Sequence, residues 1–62
     1  MNIQDIENSE NEQLQTRRQE ILEDFDMLST AQVTDEEYWR VWHALNRMLT
    51  LIEQELRMRG IL

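Results

Sequence analysis

Residues 33–60 read VTDEEYWRVWHALNRMLTLIEQELRMRG, and both ends of that stretch are punctuated as a helix is. At its start, Thr34 followed by Asp35, Glu36 and Glu37 has the form of a capping box. In that motif the threonine hydroxyl and the carboxylate three residues on each satisfy a backbone N–H that the first turn leaves unpaired. Val33 before the cap and Tyr38 four residues after it have the spacing of a hydrophobic staple. At the far end stands Gly60, the only glycine, free to take the left-handed conformation that closes helices, with Ile61 placed to touch Leu56. A helix from about Asp35 to Arg59 follows, roughly 37 Å long at 1.5 Å per residue.

Placed at about 100° per residue, Tyr38, Trp42, Leu45, Leu49, Ile52 and Leu56 form a central apolar stripe on this helix. Val41, Ala44, Met48, Leu51 and Met58 continue it round one side, interrupted by Glu55, so that roughly half the circumference is apolar. Trp39 falls on the polar side with His43, Asn46, Thr50 and Arg57.

Upstream, Ser9-Glu10-Asn11-Glu12 fits another capping box and opens a helix expected over about 10–29. Its stripe is narrow: Leu14, Ile21, Phe25 and Leu28, with Arg18 at the skipped seam position and Leu22 beside it. Ser29-Thr30-Ala31-Gln32 lower the helix propensity, and a connection of about five residues between helices of similar length implies an antiparallel hairpin. The expectation is therefore an all-α chain: a flexible N-terminal segment over 1–8, polar apart from Met1, Ile3 and Ile6, then a two-helix hairpin over 9–62.

A hairpin alone leaves the broad arc of its second helix partly wet, and a chain of 62 residues buries too small a fraction of its surface to be more than marginally stable. The expected remedy is a homodimer forming a four-helix bundle, joined through Trp42, Leu45, Met48, Leu49, Ile52 and Leu56. In topology such a dimer resembles the small plasmid-copy-number regulators of the Rop kind. The competing remedy is a different, larger protein docked on the same arc.

Charge and composition narrow the functions. Thirteen acids against six arginines give a formal charge of −7, which argues against direct binding to nucleic acid or to an anionic membrane. No apolar run approaches the roughly 20 residues of a membrane span, and the N-terminus lacks the basic start of a secretion signal. With no cysteine there is neither a disulfide nor a thiolate, which fits a cytoplasmic chain, of the host cytoplasm if phage-encoded. His43 is the only histidine and has no serine or cysteine nucleophile at helical spacing, so no enzymatic activity, metal or cofactor is expected.

The charge is unevenly spread. Up to Glu37 there are eleven acids and two arginines, a net of −9; beyond it two acids and four arginines give +2. In a hairpin, Glu20, Glu23, Asp24 and Asp26 approach Asp35, Glu36 and Glu37 to make one acidic tip. Such a tip serves either as a solvated, dipole-favoured helix start or as an imitation of nucleic-acid phosphates. Size and composition resemble those of the small acidic helical inhibitors encoded by phages and mobile elements. Trp39 is the other candidate: a large aromatic on a polar face either belongs to the class that dominates binding energies or lies over the connection near Val33 or Ala31 and completes the small core. The expected function is a small acidic protein-binding module that inhibits or adapts a larger protein by occupying its surface, with the charge balance favouring a basic partner surface. Its expected contacts are Trp39, His43 and Arg40 together with the tip. The alternatives are a nucleic-acid mimic working through the tip alone and a structural subunit of a helical assembly.

Overall fold

The computed structural model describes residues 3–62 as three helices: α1 (Ile3–Asn8), α2 (Asn11–Thr30) and α3 (Asp35–Met58). α2 and α3 form the hairpin. The chain reverses between them, because Arg18 of α2 meets Glu53 of α3 while Phe25, further along α2, meets Trp42, further back along α3. The long axis of the molecule, 37 Å, is the length of α3.

The stop signal of α3 is realised in full and its start signal in the half that the Thr34 hydroxyl makes. The Thr34 hydroxyl accepts the Glu37 N–H at 3.2 Å. At the other end the N–H of Gly60 donates to the Arg57 carbonyl and that of Ile61 to the Leu56 carbonyl, with Gly60 at φ +77°. This pair of bonds is the Schellman closure, which satisfies carbonyls that a helix end otherwise leaves unpaired. α2 ends differently. Ser29 and Thr30 turn their hydroxyls back onto the carbonyls of Asp26 and Met27, and the chain leaves the helix at Ala31 in extended conformation. Four residues, 31–34, then carry it into α3.

The expected cap of α2 is displaced by one residue. Glu10, not Ser9, occupies the N-cap position, and its N–H donates to the Gln13 side chain at 2.9 Å. The Ser9 hydroxyl instead donates to the Asp5 carbonyl at 2.6 Å and so helps to close α1.

The core is aliphatic and small. Leu14, Ile21, Ile52 and Leu56 are fully buried, each worth about 1.5–3 kcal/mol on transfer from water. Phe25, Leu45, Met48, Leu49 and Leu51 pack against this cluster while remaining partly exposed.

The largest departure from the sequence reading is α1. The segment 1–8 was expected to be flexible. Its residues 1–2 lie outside the described residues, but 3–8 form a helix that packs against α3 and places Ile6, 3% exposed, in the core. A six-residue helix has no stability of its own; here a guanidinium from the other end of the chain holds it. Arg59 uses every one of its N–H donors: Nε to Glu55 at 2.9 Å, one terminal nitrogen to the Ser9 carbonyl and the Asn11 side chain, the other to the carbonyls of Ile6 and Glu7. α1 carries no basic residue in its last turn, and Arg59 supplies that cation from α3 to carbonyls at and just beyond the helix end. Glu55, which interrupts the apolar arc on the helical wheel, is the residue that orients Arg59.

α1 supplies a part of the cover that the broad arc of α3 calls for. It lies beside the C-terminal part of the side arc, where Ile3, Ile6 and Glu7 face Leu51, Glu55 and Met58 across a gap of about 180 Å³; Leu51 is half-buried there, whereas Met58 stays 76% exposed. The same arc nearer the start of α3 has no such cover, and Val41 is 43% exposed.

Candidate functional site

The first three turns of α3 concentrate the aromatic residues of the chain. Spacings of one, three and four residues bring Tyr38, Trp39, Trp42 and His43 together on neighbouring turns. Trp39 lies edge-on to Tyr38 (ring centroids 5.2 Å apart, 87° between planes) and to Trp42 (5.7 Å, 68°). Trp42 is in turn edge-on to His43 at 5.2 Å, and across the hairpin it meets Phe25 of α2 at 6.1 Å. These are the offset and edge-to-face arrangements that aromatic quadrupoles favour. The result is a connected aromatic ledge running from the α2–α3 seam outward to solvent.

Exposure rises along that ledge. Phe25 and Trp42 are half-buried, and Trp39 at its outer end is 53% exposed. Trp39 does not complete the core: its ring meets Tyr38, Trp42 and His43, and it lies outside the buried cluster. His43 is exposed and lies beside both tryptophans, 6.2 Å from Trp39. Arg40 points elsewhere, to Glu36 at 3.4 Å in a solvent-exposed pair, an arrangement worth no more than a few tenths of a kcal/mol. Tyr38, Phe25 and the partly exposed Leu22 belong to this surface and were read from sequence as core or as its neighbour.

The acidic tip is brought together only in part. Glu23, Asp24 and Asp26 lie in the last turns of α2, and Asp35, Glu36 and Glu37 in the first turn of α3; all are exposed. Glu20 does not join them. It stands ten residues before the end of α2, about 15 Å away along the axis, where Arg17 holds it at 3.0 Å. Among the described residues Asp26 and Asp35 have no hydrogen bond or ion pair to their carboxylates, and no three side chains of the His, Asp, Glu or Cys type converge as a metal site needs.

The residues expected to join two copies do not share one surface. Ile52 and Leu56 are 0% exposed inside the chain's own core and present nothing to a partner. Leu45, Leu49 and Met48 are half-buried against that core. Trp42 and Met48 lie about 120° apart round α3, Trp42 on the aromatic side and Met48 on the opposite flank.

No helix among the described residues is long and apolar enough to cross a membrane. No protein-family model, no curated protein and no solved structure matches this chain.

Proposed function

We propose that the chain is a small, acidic, non-enzymatic protein-binding module that inhibits or adapts a larger protein by occupying its surface. The observation that supports this reading is the half-exposed Trp39 at the end of a connected aromatic ledge. Tryptophan in such a setting offers a large, preformed contact area at low entropic cost, and residues of this type cost about 2 kcal/mol or more when truncated in interfaces. Affinity capture with the wild-type chain, Trp39→Ala and a variant in which Glu23, Asp24 and Asp26 are amidated tests it. A partner retained by the wild type and the amidated variant and lost with Trp39→Ala, at unchanged helicity, supports the module. A partner indifferent to Trp39 but released by amidation and by modest salt refutes it and favours phosphate mimicry by the tip.

The reading includes self-association into a four-helix bundle through the flank of α3 that α1 leaves open, where Val41, Ala44 and Met48 share one side. Sedimentation velocity at micromolar concentration should show a dimer that Val41→Glu with Ala44→Glu, both at exposed positions, converts to a folded monomer. A wild-type monomer at the same concentrations removes this part.

A further inference from the structure

On the strength of the Trp39 reading, we infer that the ledge takes a cationic amphipathic segment, which sets an apolar side chain against Leu22 and Trp42 and a lysine or arginine at the exposed Trp39 ring.

The surface has an apolar floor and an acidic end. Round α3, Asp35, Trp39, Trp42 and Asn46 fall within an arc of about 60°. The Phe25–Trp42 ring contact and the Arg18–Glu53 pair fix which flank of α2 adjoins that arc, the one carrying Leu22, Phe25 and Asp26. Leu22 and Trp39 are the exposed apolar members, with Trp42 and Phe25 half-buried between them. The ledge is closed at one end by Arg18 and Glu53, which neutralise each other at 2.9 Å, and at the other by Asp26 and Asp35, whose carboxylates no cation of the chain pairs among the described residues.

Two features select a cation. Asp35 lies one helical turn from Trp39 on the same face, so a positive group over the indole gains both the ring quadrupole and a carboxylate. No aromatic neighbour stacks flat on Trp39; the planes of Tyr38, Trp42 and His43 stand at 87°, 68° and 39° to it. The nearest arginine in sequence, Arg40, is turned to Glu36. Charge also speaks against a second copy as occupant of this face, since a two-fold pairing of ledges would set Asp26 and Asp35 against the same residues.

The only two tryptophans of the chain both belong to the ledge, so intrinsic fluorescence reads it directly. The probe is a synthetic amphipathic peptide with leucine on one face and arginine on the other. It is compared with the same peptide carrying glutamate for arginine and with an arginine–glycine peptide lacking leucine. The expected result is saturable binding of the leucine–arginine peptide with a blue shift, weakened tenfold or more, about 1.4 kcal/mol, by Trp39→Ala with Trp42 still reporting. Asp26→Asn with Asp35→Asn should weaken it several-fold at low salt and flatten its salt dependence. Should Trp39→Ala lose helicity, Trp39→Gln carries the same comparison.

Equal binding of the glutamate peptide overturns the cationic class, and if that binding still needs Trp39 the protein-binding reading stands without it. Equal binding of the arginine–glycine peptide overturns the apolar half. Absence of saturable binding by the leucine–arginine peptide overturns the inference, and binding unchanged by Trp39→Ala overturns both it and the reading on which it rests.

Discussion

The two halves of α3 share one periodicity and meet opposite fates. In the C-terminal half Ile52 and Leu56 are fully enclosed, Arg59 ties the helix to α1, and a Schellman closure ends it. In the N-terminal half the apolar and aromatic side chains are as numerous, yet Trp39 and Val41 face outward and Trp42 is only half covered. What differs is the neighbours. α1 reaches only the C-terminal half of the side arc, and the short side chains at the end of α2 do not roof the aromatic ledge. A chain of this size has no third long helix to finish the job, so one end of its longest helix is core and the other is surface.

Substitutions at the two ends should therefore separate stability from recognition. The largest effect is expected in the enclosed half: Leu56→Ala or Ile52→Ala should cost about 2–5 kcal/mol, enough in a small domain to abolish the cooperative urea transition seen by circular dichroism. Arg59→Ala comes next. It removes five hydrogen bonds from a guanidinium whose side chain is 22% exposed, and a loss of about 1–3 kcal/mol is expected. Hydrogen exchange should locate that loss in α1, with the seam between Ile21 and Ile52 still protected; uniform loss of protection would show that α1 is not a separable element. Thr34→Ala, which deletes the N-cap of α3, should cost about 1 kcal/mol by the same urea titration. Gly60→Ala should cost a similar amount, about 1 kcal/mol, from backbone strain alone, because an added Cβ there meets no atom within 4 Å. The smallest effect is expected at Trp39→Ala, less than about 1 kcal/mol of stability, with a visible change in near-ultraviolet dichroism. A large loss there would make Trp39 part of the core and end the contrast between the halves.

Most of α3 was legible in the order of residues because its determinants are local. Thr34 caps a backbone amide three residues away, and Gly60 allows bonds that close within five or six residues. The α2 stripe was equally legible: Leu14, Ile21 and Leu28 are buried as their spacing requires. Spacing also set Trp39 outside the stripe, but its exposure needed the structure, because the same register allowed it to lie over the connection. The aromatic ledge was less legible. Phe25 reads as core in the α2 pattern, and only the pairing of the two helices shows that it continues into Trp42.

α1 and its clasp left almost no trace. Ile3 and Ile6 are too few to make a periodic signal, and Arg59 reads as the partner of Glu55 four residues earlier, which it is, at 2.9 Å. Its other bonds reach residues 48 to 53 positions away, and no local rule connects them. The position of the α2 cap depended on the same element. Ser9 has the right chemistry for it, but its hydroxyl is taken by the last turn of α1, and Glu10 serves instead.

By itself the sequence determined where two long helices start and stop, which side chains must be hidden, and that the acids crowd into the first 37 residues. Those properties follow from backbone hydrogen bonds and helical repeat, which operate within a turn or two. Tertiary structure alone decided that a six-residue helix forms at all, and that it packs beside Leu51 and Glu55 while Val41 and Met58 of the same arc stay exposed. Such choices depend on groups some fifty residues apart meeting in space, where one guanidinium can satisfy a helix end that its own neighbours leave unpaired.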